Sequence, residues 1–174
     1  MSLSLLQRIF GETRQRSALL PLYRAAVAEG RDPFWYREGQ VPDTIDGRFD
    51  MIAAVTALVL IRLEVEGEAG RANATLLTEI FVDDMDATLR QLGIGDHVVG
   101  KHVGRMMGAL GGRLAAFREA RVGEDDFADA VRRNIFHDAP PGDSAVATVA
   151  RRLEALAARV DAFPTAALLD GRLG

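Results

Sequence analysis

Apolar residues run almost without interruption over residues 49–61, which makes this stretch the most hydrophobic part of the chain. A helix that is apolar on nearly every face is either a membrane span or the central helix of a globular domain. A span needs about 20 apolar residues, and this run is shorter because Arg62 interrupts it. The pattern therefore predicts a buried central helix over residues 49–66, preceded by a polar turn over residues 41–50.

Elsewhere, apolar residues recur every three or four positions, which predicts amphipathic helices. The expected helices cover residues 3–10, 17–29, 34–36, 76–92, 96–121, 124–136 and 143–163. Gly11, Gly30 and Pro164 are each expected to end a helix, and residues 66–71 are expected to form a polar loop. No segment alternates like a strand and none repeats, so the fold class is all-α, a compact single-domain multi-helix bundle of non-repeat type.

The first 15 residues form a short amphipathic segment, set apart from the domain expected over residues 16–174. Its apolar positions, Leu3, Leu6, Ile9 and Phe10, fall at helical spacing. Arg8, Arg14 and Arg16 lie in or beside the segment. Such a segment either packs on the domain or gives a weak foothold on an anionic membrane surface. The N-terminus lacks the long apolar region of a signal peptide. The expected location is therefore cytoplasmic, with peripheral contact at the inner face of the cell membrane as an option.

The helix expected over residues 96–121 carries a row of small residues. Gly100, Gly104, Gly108 and Gly112 recur every four positions. Each interior glycine costs a helix about 1 kcal/mol relative to alanine, so the row needs a compensating contact. Because small residues let helix backbones approach closely, we expect an internal helix crossing along this row. The alternative is a groove that accepts a helix from a partner protein.

Composition narrows the classes of function. The 174 residues are 48% hydrophobic and 26% charged, which is typical of a globular domain. The net charge of −4 argues against a nucleic-acid partner, and the absence of cysteine excludes thiol catalysis and cysteine-ligated zinc. The three histidines, His97, His102 and His137, match no metal-binding or nucleophile motif. Neither a cofactor nor a metal site is predicted.

Carboxylate chemistry is the enzyme alternative that the residues leave open. Asp46 and Asp50 lie four residues apart on one helix, and Asp83, Asp84 and Asp86 cluster on another. Hard cations such as magnesium prefer these oxygens, so the two groups could serve a magnesium-dependent helical enzyme. A purely structural helical scaffold is the third hypothesis.

The turn before the central helix offers short side chains that cap helix N-termini, namely Asp43, Thr44 and Asp46. Arg48 lies between acidic residues in an otherwise apolar neighbourhood. Because an unpaired charge is costly there, Arg48 is expected to contact carboxylates of its own loop or of residues 83–86.

Several pieces of the sequence, taken together, resemble the ubiquinol–cytochrome c chaperone family, whose mitochondrial members help assemble cytochrome b. They are RDPFWY at residues 31–36, VPDTIDGRFDM at 41–51, FVDDMD at 81–86, LRQLGIGD at 89–96 and VGK at 99–101, with a weaker match of GRL at 112–114. The pieces follow the family's order over roughly the middle half of the chain. The two aspartate-rich pieces combined with the glycine turn at 93–96 are fairly specific.

The resemblance implies an assembly chaperone and not an enzyme. Such a protein binds newly made cytochrome b, or a similar hydrophobic membrane subunit, during biogenesis of the ubiquinol–cytochrome c reductase complex. A small partner protein, as used in mitochondria, is an option. The family's acidic and turn residues fall here on Asp50, Asp83, Asp84, Asp86, Arg90, Gly95, Asp96 and Lys101. Around residues 108–112 the family has more aromatic character, where glycines stand here.

Client binding is predicted at the aromatic turn and the loop that follows it. Three adjacent aromatics cannot share one face of a helical turn, so at least one should point outward, and such side chains are common interface anchors. The candidates are Phe34, Trp35, Tyr36, Val41, Pro42, Asp43, Thr44, Asp46 and Arg48. The alternative is that all three aromatics fill the domain's own edge and that the face of residues 100–112 binds the client.

Overall fold

Helices form the framework of the computed structural model, which confirms the predicted all-α class. The structure describes residues 3–91, 93, 96–137 and 139–173, without the side chains of residues 3–12 and 96–99. The helices are α1 (Leu3–Gly30), α2 (Phe34–Arg37), α3 (Ile45–Glu64), α4 (Gly67–Gln91), α5 (Asp96–Arg121), α6 (Phe127–Ile135), α7 (Asp143–Ala162) and α8 (Thr165–Leu169). No strand occurs among the described residues.

Helix α3 lies at the centre of the molecule, as its long apolar run predicts. It contacts α1, α4, α5, α6 and α7, and every side chain over residues 49–63 is buried. The helix begins at Ile45, four residues earlier than predicted, because Thr44 caps it. Thr44 Oγ1 accepts a hydrogen bond from the Gly47 amide at 3.1 Å. This cap brings Asp46 and Arg48 into the first turn of the helix.

Helix α1 is continuous across Gly11, so the predicted helix end at that residue is wrong. One glycine costs a helix only about 1 kcal/mol, which the turns on either side can offset. The predicted end at Gly30 is confirmed, and packing requires glycine there. A Cβ on Gly30 would lie 2.8 Å from the Cα of Ile52 in α3. The division of the chain between residues 15 and 16 stays a prediction.

Helix α4 starts at Gly67, so the predicted loop over residues 66–71 is wrong. The chain turns at Val65 and Glu66 and enters the next helix at once. Gly67 has a positive φ of 72° at this turn. Gly70 allows close approach of α3, because a Cβ there would lie 1.9 Å from the Leu63 carbonyl oxygen. Two glycines that are typical of a loop therefore build a tight corner between helices.

The glycine row of α5 does not pack inside the molecule. Gly100, Gly104 and Gly108 are exposed, and a Cβ on any of them would meet no atom within 4 Å. A Cβ on Gly112 would meet the Asn134 Oδ1 at 3.7 Å, an ordinary contact. The predicted internal helix crossing along this row is therefore wrong. Helix α5 instead packs through its other face against α3, α4 and α6.

The last three helices close the bundle. Helix α6 begins later than predicted because Asp126 caps it, accepting hydrogen bonds from the Ala128 and Asp129 amides at 2.7 and 3.1 Å. Helix α7 begins at Asp143 and packs on α3 and α6. Helix α8 follows Pro164 and packs on α1.

Candidate binding site at the start of helix α3

The loop before α3 is held in one shape by close contacts. A Cβ on Gly47 would lie 2.0 Å from the Pro42 carbonyl oxygen, so the loop requires glycine there. Arg48 Nε donates to Asp43 Oδ1 at 2.6 Å, which confirms that Arg48 pairs with its own loop. Both side chains are more than half exposed. A pair exposed to that extent contributes little to the stability of the fold. It does connect the loop to the first turn of α3.

Two concavities flank this loop and share the side chains of Phe49 and Met106 as a common wall. The α5–α6 concavity has a volume of about 400 Å³ and lies between the loop and those two helices, with Asp50 and His137 in its lining. The α4 concavity has a volume of about 370 Å³. Its remaining lining is mostly apolar and consists of Ile45, Ile52, Met85, Thr88 and Leu89, with Arg31 and Arg48. The start of α3 thus separates two recesses, one of which has the Asp50 carboxylate and His137 in its lining.

A buried ion pair lies behind the α5–α6 concavity. Asp50 accepts a hydrogen bond from Arg113 Nη2, and its other oxygen lies 2.8 Å from Nε2 of His137. Arg113 also donates to the backbone carbonyls of Ala109 and Asn134. Asp50 and Arg113 are almost fully buried, whereas the His137 side chain is 65% exposed. The network therefore ties α3, α5 and the end of α6 together.

Burial opposes both charges of this pair. Desolvation raises the pKa of Asp50 above its ordinary value, against the attraction of Arg113 and the hydrogen bond with His137. Desolvation likewise lowers the pKa of Arg113, against the attraction of Asp50. Removing one partner would leave the other charge buried and uncompensated, which is strongly destabilising. This role of Arg113 was not predicted from the sequence. The weak family match at residues 112–114 was the one feature of the sequence that pointed to this residue.

The aromatic turn lies largely inside the molecule. Trp35 is fully buried, and its Nε1 donates to the Glu29 carbonyl at 2.7 Å. Phe34 and Tyr36 are half-buried and pack against the core. Trp35, like the buried Val41, has no surface to offer a client in this structure. Trp35 therefore fits the alternative that the aromatics fill the domain's own edge. Phe34 and Tyr36 keep part of their surface accessible to solvent.

Arg152 holds the aromatic turn against α7. Its guanidinium carbon lies 4.3 Å from the ring centroid of Phe34 and 4.6 Å from that of Trp35. The same side chain donates to Asp32 Oδ2 at 2.7 Å and to Glu29 Oε1 at 3.1 Å. One residue of α7 thus fixes the end of α1 and the start of α2, a role that the sequence pattern did not indicate.

The acidic residues of α4 have separate partners and do not converge on one site. Each is held by a different side chain: Asp83 by Arg16, Asp84 by the Tyr23 hydroxyl, and Asp86 by Arg90. Asp50 is held by Arg113. Within the described part of the chain, no group of three or more histidine, aspartate or glutamate residues is arranged to hold a metal ion. Among the described residues, the structure therefore shows no arrangement of these aspartates that supports the magnesium site of the enzyme alternative.

The remaining candidates lie around the start of α5. Lys101 is exposed, whereas Gly95 and the side chain of Asp96 lie outside the described residues. Of the helices over the described ranges, none is long and apolar enough to cross a membrane.

The chain is similar in sequence to one protein family and in fold to a solved structure. The family model described as ubiquinol-cytochrome C chaperone matches residues 37–173. The crystal structure of the Cbp3 homolog from Brucella abortus is similar over 96% of this chain and 93% of that one, with 29% sequence identity and a TM-score of 0.78. No curated protein matches the chain significantly. The matched residues include the loop before α3 and the helices that line both concavities.

Proposed function

Because the chain belongs to the ubiquinol–cytochrome c chaperone family, we propose that it is an assembly chaperone that binds newly made cytochrome b, or a similar hydrophobic membrane subunit. In this proposal the client binds at the start of α3 and in the two concavities beside it. The role is one of binding without catalysis. It is exerted from the cytoplasm, at the inner face of the cell membrane, during biogenesis of the ubiquinol–cytochrome c reductase complex.

The observation that carries this proposal is the exposed side chain of Ile45 at the α4 concavity. Ile45 is 59% exposed and borders a recess whose walls include Ile52, Met85 and Leu89. A chaperone for a membrane protein needs apolar surface to replace the client's missing lipid contacts. Methionine suits this use because its flexible thioether adapts to partners of different shape.

The test compares Ile45→Ser with Val65→Ser as a matched control. Both are exposed hydrophobic residues, at 59% and 74%, and they flank opposite ends of α3, about 30 Å apart at the rise of an α-helix. We expect Ile45→Ser to lose most of the cytochrome b that the wild type recovers in a pull-down from solubilised membranes, and Val65→Ser to keep it. Both variants should melt within a few degrees of the wild type, because exposed substitutions change stability little.

Two results would count against the proposal, each in its own way. Equal recovery by both variants would place the client-binding surface away from the start of α3. Failure of the wild type to enrich cytochrome b or any other respiratory membrane subunit would contradict the chaperone role and favour a structural scaffold.

A further inference from the structure

Three arginines line one concavity beside the aromatic turn, which we call the arginine pocket. It has a volume of about 250 Å³, and its lining includes Arg31, Arg37, Arg48, Tyr36 and Asp43. Arg31 follows the end of α1, Arg37 ends α2, and Arg48 lies in the first turn of α3. Three separate elements therefore bring positive charge to one place.

The fold does not neutralise this charge. Arg48 pairs with Asp43 at 2.6 Å, and this contact holds the pKa of Asp43 below its ordinary value, so that Asp43 is ionised at neutral pH. Over the described residues, the guanidiniums of Arg31 and Arg37 have no ion-pair or hydrogen-bond partner. Three arginines against one aspartate give the pocket a net charge of +2, in a chain whose net charge is −4.

Helix dipoles explain only part of this arrangement. Arg31 and Arg37 lie at the C-terminal ends of α1 and α2, where a cation offsets the partial negative charge of the helix end. That effect accounts for one arginine at each end. It does not explain why both arginines line the same concavity as Arg48. Like charges at short range repel each other, and an anion between them would remove this cost.

Part of the pocket's wall is fixed before any ligand arrives. The Tyr36 hydroxyl donates to the Gly30 carbonyl at 2.8 Å, which sets the orientation of its ring. The guanidinium of Arg48 lies 6.0 Å from the centre of that ring. Arg48 lies in the first turn of α3, directly after the loop that the Pro42–Gly47 contact holds in shape. A site that is already ordered binds its ligand at a lower entropic cost.

We propose that the arginine pocket binds a phosphate monoester, with Arg31 and Arg37 as its main donors. A guanidinium presents two parallel N–H groups that match two phosphate oxygens. A phosphate monoester carries a charge of about −1.5 to −2 at pH 7, which balances the pocket's net positive charge. A carboxylate carries a single negative charge and would balance only half of it. The group belongs either to a small phosphorylated metabolite or to the headgroup of phosphatidic acid. This proposal does not rest on client binding.

The first experiment is a calorimetric titration of the full chain with glycerol 3-phosphate at constant ionic strength. The wild type should bind at one site, and Arg31→Gln or Arg37→Gln should each weaken binding about tenfold, the loss expected for one charge-assisted contact. Arg24→Gln is the control. Arg24 is an exposed arginine two turns before Arg31 and does not line the arginine pocket, so its loss should change affinity by less than about twofold.

A second arm separates the two sources of the phosphate. Co-sedimentation compares vesicles containing phosphatidic acid, a monoester, with phosphatidylglycerol vesicles, a diester, matched in surface charge. A preference for phosphatidic acid that Arg31→Gln abolishes would assign the lipid headgroup. Binding of glycerol 3-phosphate without that preference would assign a soluble ligand.

Two outcomes would overturn the proposal. One is that the wild type binds neither glycerol 3-phosphate nor phosphatidic acid above phosphatidylglycerol. The other is that Arg24→Gln weakens binding as much as Arg31→Gln does, since that result would indicate general attraction to a basic surface. If a glutamine variant folds poorly, Arg37→Lys keeps the charge but not the forked geometry, and it should bind more weakly while melting like the wild type.

Discussion

Asp32 connects two contacts at the start of the aromatic turn. Its Oδ1 accepts from the Phe34 amide at 2.8 Å, and its Oδ2 accepts from Arg152 at 2.7 Å. The bond from the amide, and then the one from Arg152, lower the pKa of Asp32 below its ordinary value of 3.8. A carboxyl group with a lowered pKa stabilises the fold above its unfolded pKa, and this stability is lost as the pH falls through the folded value.

We predict that Asp32→Asn destabilises the protein at neutral pH but not in acid. Asparagine can still cap the turn, so the loss is that of the partly exposed pair with Arg152, about 0.5 to 1 kcal/mol after solvent screening. The difference in the free energy of unfolding between wild type and variant should be constant above about pH 5 and shrink below pH 3.8. Denaturant unfolding at several pH values measures it.

Asp170→Asn serves as the control for this prediction. Asp170 is exposed, and within the described chain no side chain pairs with it, so its replacement should change the free energy of unfolding little at any pH. If the Asp32→Asn difference stayed constant down to pH 2.5, the ionised carboxylate would not be its source.

Contacts between single residues could be predicted from the sequence when the partners are near each other in the chain. The Thr44 cap and the Asp43–Arg48 pair span three and five residues, and both were among the expected options. The Arg113–Asp50 pair spans 63 residues. Helical periodicity indicates which face of α5 is buried, but it does not identify the carboxylate of another helix that will meet that face.

The exposed glycines of α5 lower the stability of this helix, and no close packing against another described residue compensates for that loss. Gly104 and Gly108 adopt helical conformation, and nothing lies within 4 Å of the space that a Cβ would fill. We predict that Gly104→Ala and Gly108→Ala each raise the free energy of unfolding by about 1 kcal/mol. Thermal and denaturant unfolding provide the measurement.

Gly70→Ala is the matched comparison, since Gly70 also lies within a helix. There the Cβ would lie 1.9 Å from the Leu63 carbonyl oxygen, so this variant should be destabilised and should melt several degrees below the wild type. Destabilisation by Gly104→Ala would instead mean that another surface covers this face of α5.

Glycine also explains which helix boundaries could be predicted. In the sequence, Gly11, Gly70 and Gly104 look alike, yet one lies inside a long helix, one permits a tight corner, and one faces solvent. The apolar periodicity predicted that the helices exist. The three-dimensional neighbours of each glycine decide where a helix ends, and those neighbours come from other parts of the chain.

For the whole molecule, the distribution of charge predicts the response to divalent cations. Four of the five aspartates of the enzyme alternative are held by separate arginine or tyrosine partners, namely Asp50, Asp83, Asp84 and Asp86. We predict that millimolar magnesium or manganese leaves the melting temperature unchanged, because a ligand stabilises a protein only when it binds the folded state. Thermal unfolding with and without a chelator measures this. A metal-dependent rise that disappears in Asp84→Asn and Asp46→Asn would favour the enzyme alternative.

The central position of α3 has a consequence for how the chain matures during its own synthesis. This helix is buried on every side over residues 49–63, and the helices that cover it come both before it, in α1, and after it, as far as α7. Until α7 has left the ribosome, the apolar side chains of α3 therefore remain partly exposed to water. If the proposed function holds, each newly made copy of this chaperone briefly exposes an apolar segment to water, as its newly made client does before the chaperone binds it.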